Sequence, residues 1–298
     1  MPSTTAALVG LWDCCLEYNR TYMALRNFSE ATRRGYASDL RLFIRYLSEE
    51  RAVNAVQAVE KIHVHEYFAE LDRRGRAGVT RARNLAAVKS FFGYLEDAGV
   101  IERSPAKAIP RPKQEVREPR VLTEDQYVRL RAACADHPRE RALIELFLQT
   151  GLRLSEVASL TLGDLQLPPP RSVGAVSVHG KGRKRRTVSL NWKAADAMRA
   201  YLCDRQTSAA SPVFLSRTGG RLTPRAIQRA VKRYLTAAGL SRASVHTLRH
   251  TFATHMVKKG TNLRVIQEAL GHTSLQTTSV YVSLARELMD EQLQANAL

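Results

Sequence analysis

The stretch SVGAVSVHGKGRKRRTVSL at residues 172–190 decides the fold class of this chain. Two short β-branched runs flank a basic turn that contains glycine, which is the pattern of a β-hairpin. The apolar run at residues 213–215 predicts a third strand. Most other segments repeat their apolar residues with the period of a helix. The sequence therefore predicts a mainly α-helical protein with a small antiparallel sheet, an α+β fold.

The 298 residues divide into three parts by composition. Residues 1–103 carry only helical patterns and predict a compact helical domain. Residues 104–120, SPAKAIPRPKQEVREPR, combine four prolines with many charges and have no apolar period, so they predict a linker. Residues 121–298 open with TEDQ at 123–126, the pattern of a capping box, and form a second domain that carries the hairpin.

Positive charge is concentrated in the second domain. The formal net charge of the chain is +18, but residues 1–110 hold 16 Lys and Arg against 13 Asp and Glu, so most of the excess lies further along. A basic excess confined to one region is typical of proteins that bind a polyanion, most often nucleic acid.

Composition also predicts the compartment. No stretch approaches ~20 uninterrupted apolar residues, so we expect no membrane span and no membrane partner. The first residues lack a basic start followed by an apolar run, which does not favour a secretory signal. The cysteines lack the spacing of a zinc site, and we expect all of them to be reduced packing residues of a cytoplasmic protein. They are Cys14, Cys15, Cys134 and Cys203.

Six residues in the last half of the chain suit metal-independent chemistry on a phosphate, and we take them as candidate catalytic residues. They are Arg153, Lys181, His246, Arg249, His272 and Tyr281. Arginine offers a planar fork for two phosphate oxygens and stays charged. A lysine at a hairpin tip is a candidate general acid, and a tyrosine that attacks phosphorus forms a covalent intermediate. Any one fragment is a weak signal, but the ordered set is a strong one.

The segments that carry these residues resemble signature segments of the tyrosine recombinases, the integrase family, and are most similar to the short Xer-type members. The segments are TGLRLSE at 150–156, GKGRKRR at 180–186, HTLRHTFATH at 246–255 and LGHTSLQTTSVY at 270–281. The resemblance implies a helical, SAM-like core-binding domain and a mixed catalytic domain that together form a clamp on duplex DNA, with no metal or other cofactor.

The resemblance also implies a role for each matching residue. Arg153 and Arg249 would bind the scissile phosphate, Lys181 would protonate the 5′-oxygen, and Tyr281 would attack. His246 would assist proton transfer or phosphate binding, and His272 would hydrogen-bond the phosphate. Glu156 matches an acidic position that supports the site. Recombination would pass through a 3′-phosphotyrosine and a Holliday junction, in a homo- or hetero-tetramer on paired half-sites held together by the C-terminal tail.

Several exposed basic residues are candidates for DNA contacts outside the site. They are Arg33, Arg34, Arg41, Arg81, Arg83, Lys184 and Arg185. Their positive charge matches the phosphate backbone, but the same residues also occur on ordinary protein surfaces.

Three other functions remain open at this point. A type IB topoisomerase would use the same chemistry to nick and swivel DNA without a partner site. A DNA-binding regulator would have lost catalysis, although no catalytic position is substituted. A metal-dependent nuclease would need clustered carboxylates, and only Glu156 accompanies the four basic segments.

Overall fold

The computed structural model describes residues 9–112, 120–179, 185–205 and 211–271. The chain forms two compact units, Met1–Arg117 and Glu118–Leu298. The described part of the first is all helical, and that of the second is helical with one small sheet. The predicted fold class is confirmed.

The first unit is built from four main helices. They are α1 (Leu11–Glu17), continued by a π-helical turn and the short α2 (Met23–Leu25), then α3 (Glu30–Arg51), α4 (Lys61–Arg73) and α5 (Gly78–Asp97). Helix α3 begins where the Ser29 side chain accepts a hydrogen bond from the backbone N–H of Thr32. Its apolar residues Leu40, Phe43, Ile44 and Leu47 are fully buried. The rings of Tyr18 from the π-helical turn and of Phe91 and Phe92 from α5 are fully buried as well.

The core of the first unit extends past residue 103. Ala106 and Ile109 are buried in the same apolar cluster as the helices, although the proline-rich composition places them in the predicted linker. Composition reports prolines and charges, whereas two small or apolar residues suffice to pin a segment onto a core. Residues 113–119 lie outside the described part of the chain.

The second unit is arranged around helix α7. Its elements are α6 (Glu124–Ala133), α7 (Pro138–Thr150), α8 (Leu154–Ser159), β1 (Leu165–Gln166), β2 (Gly174–His179), β3 (Arg185–Leu190), α9 (Trp192–Asp204), α10 (Pro224–Ala237), α11 (Val245–Lys258) and α12 (Leu263–Leu270). The predicted capping box at Thr123 and Gln126 opens α6. Helix α7 is buried along most of its length and packs against α9 and α11. It ends at Gly151, which adopts a left-handed φ of 62°.

The sheet contains the predicted hairpin but a different third strand. Strands β2 and β3 pair antiparallel, with Val178 opposite Arg186, and β1 pairs antiparallel with β2. Residues 213–215 form no strand, and only Leu215 makes an isolated bridge, to Arg221, so the prediction of a strand there was wrong. These three residues are buried in the main core, which shows that their apolar run signals burial rather than strand pairing.

Composition predicted no membrane span and four buried packing cysteines. In the described part of the chain, no helix is both long enough and apolar enough to cross a membrane. Cys14, Cys15 and Cys134 are buried as expected, but Cys203 is exposed, so that prediction was wrong for Cys203. The buried face of α9 includes Ala194, Met198 and Tyr201, and position 203 lies outside that face.

We predict that Ile109→Ala destabilises the first unit by about 2–4 kcal/mol, because it leaves a cavity in the core. Ile62→Ala is the matched control: Ile62 is 52% exposed and Ile109 only 4%. The control should stay within about 0.5 kcal/mol of the parent protein. Urea unfolding followed by circular dichroism measures both. Equal, small effects would show that residue 109 does not belong to the core.

Candidate active site

Arg153 and Arg249, far apart in sequence, reach the same end of helix α12. Arg153 precedes the first turn of α8, and its Nη2 donates to the Gly271 carbonyl oxygen at 2.6 Å. Arg249 lies on α11 and is buried; its guanidinium donates to the carbonyl oxygens of Gly151 at 2.5 Å and Leu270 at 2.8 Å. The structure therefore brings together the two arginines that the sequence assigns to one phosphate.

Glu156 is the centre of the hydrogen-bond network around Arg153. Its carboxylate accepts from the backbone N–H of Arg153 at 2.8 Å and from Nη1 of Arg153 at 2.9 Å. It also accepts from both terminal nitrogens of Arg186, at 2.8 and 2.9 Å. Burial acts to raise the pKa of Glu156, but the hydrogen bonds from Arg186 and Arg153 outweigh it and lower that pKa. Glu156 is thus a buried, ionised carboxylate in contact with Arg153, and its supporting role stays a prediction.

Arg186 is the residue of this network that sequence reasoning missed. On β3 the buried positions alternate, and Arg186 falls on the same side as Val188 and Leu190 rather than with the exposed Arg185. A charge on the inward side of a strand requires a partner, so the alternation was the available signal. That partner, Glu156, lies 30 positions away in sequence, and spacing alone does not reveal it.

Gly271 closes the site on the side of α12. It adopts a φ of 61°, and a Cβ atom there would lie 2.8 Å from Cζ of Arg186 and 3.1 Å from Nη1 of Arg153. Both the backbone conformation and the space favour glycine. The residue that follows in the chain is His272.

Three histidines lie on α11 near Arg249. His246 is exposed and three positions before Arg249, while His255 is exposed near the far end of the helix. His250 is half-buried; burial, His246 and Arg249 all lower its pKa. His246 therefore has access to solvent, and to any ligand that approaches Arg249 from that side.

Four of the predicted site residues belong to segments outside the described part of the chain. Lys181, Lys184, His272 and Tyr281 lie outside the described residues, as does the C-terminal tail beyond them. Their roles stay predictions.

The candidate DNA-binding arginines differ in how they are held. Arg83 is bound by both oxygens of the buried Asp39, at 2.7 and 2.8 Å. Arg81 pairs with Asp72, Arg34 pairs loosely with Glu30, and Arg33 donates to the Asn19 carbonyl oxygen. Arg41 and Arg185 are exposed. Carboxylates offset the charges of Arg83 and Arg81, so these two are weaker candidates than the exposed Arg41 and Arg185, and the DNA contacts of all four stay predictions.

The described residues contain no group of three or more His, Cys, Asp or Glu placed to hold a metal ion. The chemistry that this site offers is binding of an anion by fixed guanidinium groups, with an imidazole beside them.

Two family models match the chain. The phage integrase family matches residues 120–287, and the phage integrase N-terminal SAM-like domain matches residues 16–99. The two matches fall in the two compact units.

Curated relatives match over nearly the whole chain. A tyrosine recombinase XerC of Syntrophus aciditrophicus is 37% identical over 290 residues, covering 90% of this chain and 92% of the relative. A tyrosine recombinase XerC of Xanthomonas axonopodis pv. citri is 36% identical over 278 residues, covering 89% and 90%.

Solved structures share the fold. XerH recombinase bound to a palindromic difH substrate, a post-cleavage complex, matches with a TM-score of 0.74 and 23% identity over 94% of this chain and 87% of that one. The lambda integrase tetramer bound to a Holliday junction matches with a TM-score of 0.70 and 20% identity, over 89% and 78%.

We predict that Glu156→Gln lowers the free energy of unfolding by about 3 kcal/mol at pH 7, because two arginines lose their carboxylate partner. The folded-state pKa of Glu156 lies below the ordinary 4.5, so its stabilisation is present above pH 4.5 and is lost as the pH falls through the folded-state pKa. The difference between variant and parent should therefore shrink below pH 4.5.

The matched control is Glu268→Gln, since Glu268 is an exposed carboxylate in the same unit whose side chain is 74% accessible. Its effect should be within about 0.5 kcal/mol at either pH. Denaturant titrations at pH 7 and at pH 4 measure both variants. A Glu156→Gln effect that does not change with pH would contradict a role for its charge.

Proposed function

Because the chain belongs to the phage integrase family and is an Xer-type tyrosine recombinase, we propose that it cleaves and rejoins duplex DNA through a covalent 3′-phosphotyrosine formed by Tyr281. The observation that carries this proposal is the meeting of Arg153 and Arg249 at the end of α12. Tyr281 follows ten positions after Gly271, close enough in sequence to belong to the same site.

In the cleavage step, the phenol oxygen of Tyr281 bonds to phosphorus and passes its proton to the His246 imidazole or to water, while the bond from phosphorus to the 5′-oxygen breaks. Lys181 gives a proton to that leaving oxygen. Arg153 and Arg249 hold the two non-bridging oxygens, where negative charge grows in the transition state. The reverse step, with the 5′-hydroxyl of another strand as nucleophile, reseals the DNA without an external energy source.

The arginines are pre-organised for this task. Each guanidinium already donates to backbone carbonyls, at 2.6 Å for Arg153 and at 2.5 and 2.8 Å for Arg249, so little side-chain freedom is left to lose when a phosphate binds. His246, exposed one helical turn before Arg249, lies on the same helix and would assist the phosphate or the proton transfer.

We further propose that the protein acts in the cytoplasm on duplex DNA with paired half-sites, as a tetramer, homo- or hetero-oligomeric, on two sites. The family match and the lambda integrase tetramer bound to a Holliday junction support this assembly. A C-terminal tail that docks on a neighbouring protomer, closing a ring by head-to-tail contacts, is part of the same proposal.

We predict that Tyr281→Phe abolishes covalent attachment to DNA but leaves DNA binding unchanged, because only the attacking oxygen is removed. The substrate is selected from a library of randomised duplexes by its binding to the parent protein. A series of versions of this duplex is then made, each with a nick at a different position. Denaturing electrophoresis detects the adduct. Tyr36→Phe is the control, since the Tyr36 ring packs against Phe28 in the other unit. An adduct at the parent's yield with Tyr281→Phe refutes this nucleophile.

The same protein should leave a supercoiled plasmid that lacks the selected site unrelaxed. Efficient relaxation of such a plasmid would instead favour a topoisomerase, which needs no partner site.

We predict that Arg153→Lys lowers the single-turnover cleavage rate by a factor of roughly 10² or more, as for the loss of one oxyanion donor. Lysine keeps the charge but loses the fork that binds two oxygens. Affinity for the selected duplex should change little, since many contacts hold the DNA. Quenched-flow cleavage and gel-shift titration measure the two quantities; near-normal cleavage would remove Arg153 from the phosphate.

A further inference from the structure

Two arginines share the single carboxylate of Glu156, and they differ in how they use it. Arg186 binds both carboxylate oxygens with its two terminal nitrogens, at 2.8 and 2.9 Å. The side chain of Arg153 binds one oxygen, at 2.9 Å. Arg186 is therefore the principal partner of the carboxylate, in the bidentate geometry that makes such pairs strong.

The charges in this cluster do not cancel. Two guanidinium groups and one carboxylate leave a net charge of +1. Arg186 is 17% exposed at its side chain and Arg153 is 36% exposed. The buried Arg186–Glu156 pair is neutral by itself, so the uncompensated positive charge belongs to the more accessible Arg153.

Arg186 also fixes the backbone that Arg153 contacts. Its Nε donates to the carbonyl oxygen of Ala269 at 3.2 Å, and its guanidinium lies against Gly271. Arg153 donates to the carbonyl oxygen of Gly271 itself. The two arginines therefore hold neighbouring carbonyls at the end of α12, and a shift of one displaces the other.

We propose that Arg186 is a positioning residue: it neutralises and holds Glu156, so that Arg153 keeps its positive charge and its place for an anionic phosphate. This inference rests on the proposed function of the site. Among the described residues, Glu156 without Arg186 keeps Arg153 as its remaining side-chain cation. A carboxylate with one such partner occupies the N–H donors of that guanidinium and offsets its positive charge. Arg153 would then meet a phosphate as half of a neutral pair.

The first test compares Arg186→Gln with three other variants on the selected duplex. Arg186→Gln should lower the single-turnover cleavage rate by roughly 10–100-fold, the usual cost of losing a residue that supports a site. Arg186→Lys keeps the charge without the fork and should retain more activity than Arg186→Gln. The double variant Glu156→Gln, Arg186→Gln removes the carboxylate as well and should recover at least ~10-fold over Arg186→Gln, because Arg153 is again uncompensated.

Arg199→Gln is the matched control. Arg199 also pairs with a carboxylate, that of Asp196, and also donates to a backbone carbonyl, that of Pro168, but it lies outside the site. Its cleavage rate should equal that of the parent. Gel-shift affinity should stay within about threefold for all variants, because the DNA is held by many other contacts.

A second substrate separates positioning from general destabilisation. It carries an uncharged methylphosphonate in place of the phosphate at which the parent protein forms its adduct. With no charge on that group, the guanidinium of Arg153 matters less. The loss caused by Arg186→Gln should therefore shrink at least ~10-fold on the methylphosphonate, whereas a merely weakened fold would impair both substrates equally.

Equal loss on both substrates, or a double variant no better than Arg186→Gln, overturns the proposal. Should Arg186→Gln not fold, Arg186→Lys replaces it: its smaller loss should again be less on the methylphosphonate than on the phosphate, and an equal loss on both overturns the proposal. Failure of the proposed function looks different: the parent protein then forms no adduct on any selected duplex.

Discussion

The candidate site depends on one ion cluster, the buried Glu156 carboxylate between the more accessible Arg153 and Arg186. The cluster joins the start of α8, strand β3 and the end of α12 by hydrogen bonds. Burying one carboxylate costs free energy unless hydrogen-bond donors surround it, and here three guanidinium N–H groups and one backbone N–H do so. The structure thus uses a polar junction where a hydrophobic one would leave no cation for a ligand.

Close apolar packing of α7, α11 and α12 lies beside this ion cluster. Gly151 ends α7, and a Cβ atom there would lie 2.5 Å from the Phe252 ring and 2.8 Å from the Leu270 side chain. The close approach of α7, α11 and α12 lets Arg249 reach the carbonyl oxygens of Gly151 and Leu270 at once. The core of the unit therefore fixes Arg249, and the ion cluster fixes Arg153, so that two independent sets of interactions align the pair.

Periodicity predicted the helices, the hairpin and the mixed class, because each depends on local alternation of apolar residues. It was wrong for residues 213–215, where burial and strand pairing give the same pattern. Ordered motifs indicated Arg153, Glu156 and Arg249, but they missed Arg186, whose role depends on a long-range pair. The roles of Lys181, His272 and Tyr281 stay predictions. No local pattern showed that Ile109 belongs to a core, since that depends on the surface it meets.

The acceptors that orient the arginines are mostly backbone atoms. The carbonyl oxygens of Gly151, Ala269, Leu270 and Gly271 take these bonds. A backbone carbonyl is present whatever side chain the residue carries, so these anchors survive substitution as long as the helix ends keep their course. The positions at which the site needs a particular side chain are therefore the three arginines and Glu156, and Gly151 and Gly271 are the positions at which it needs none.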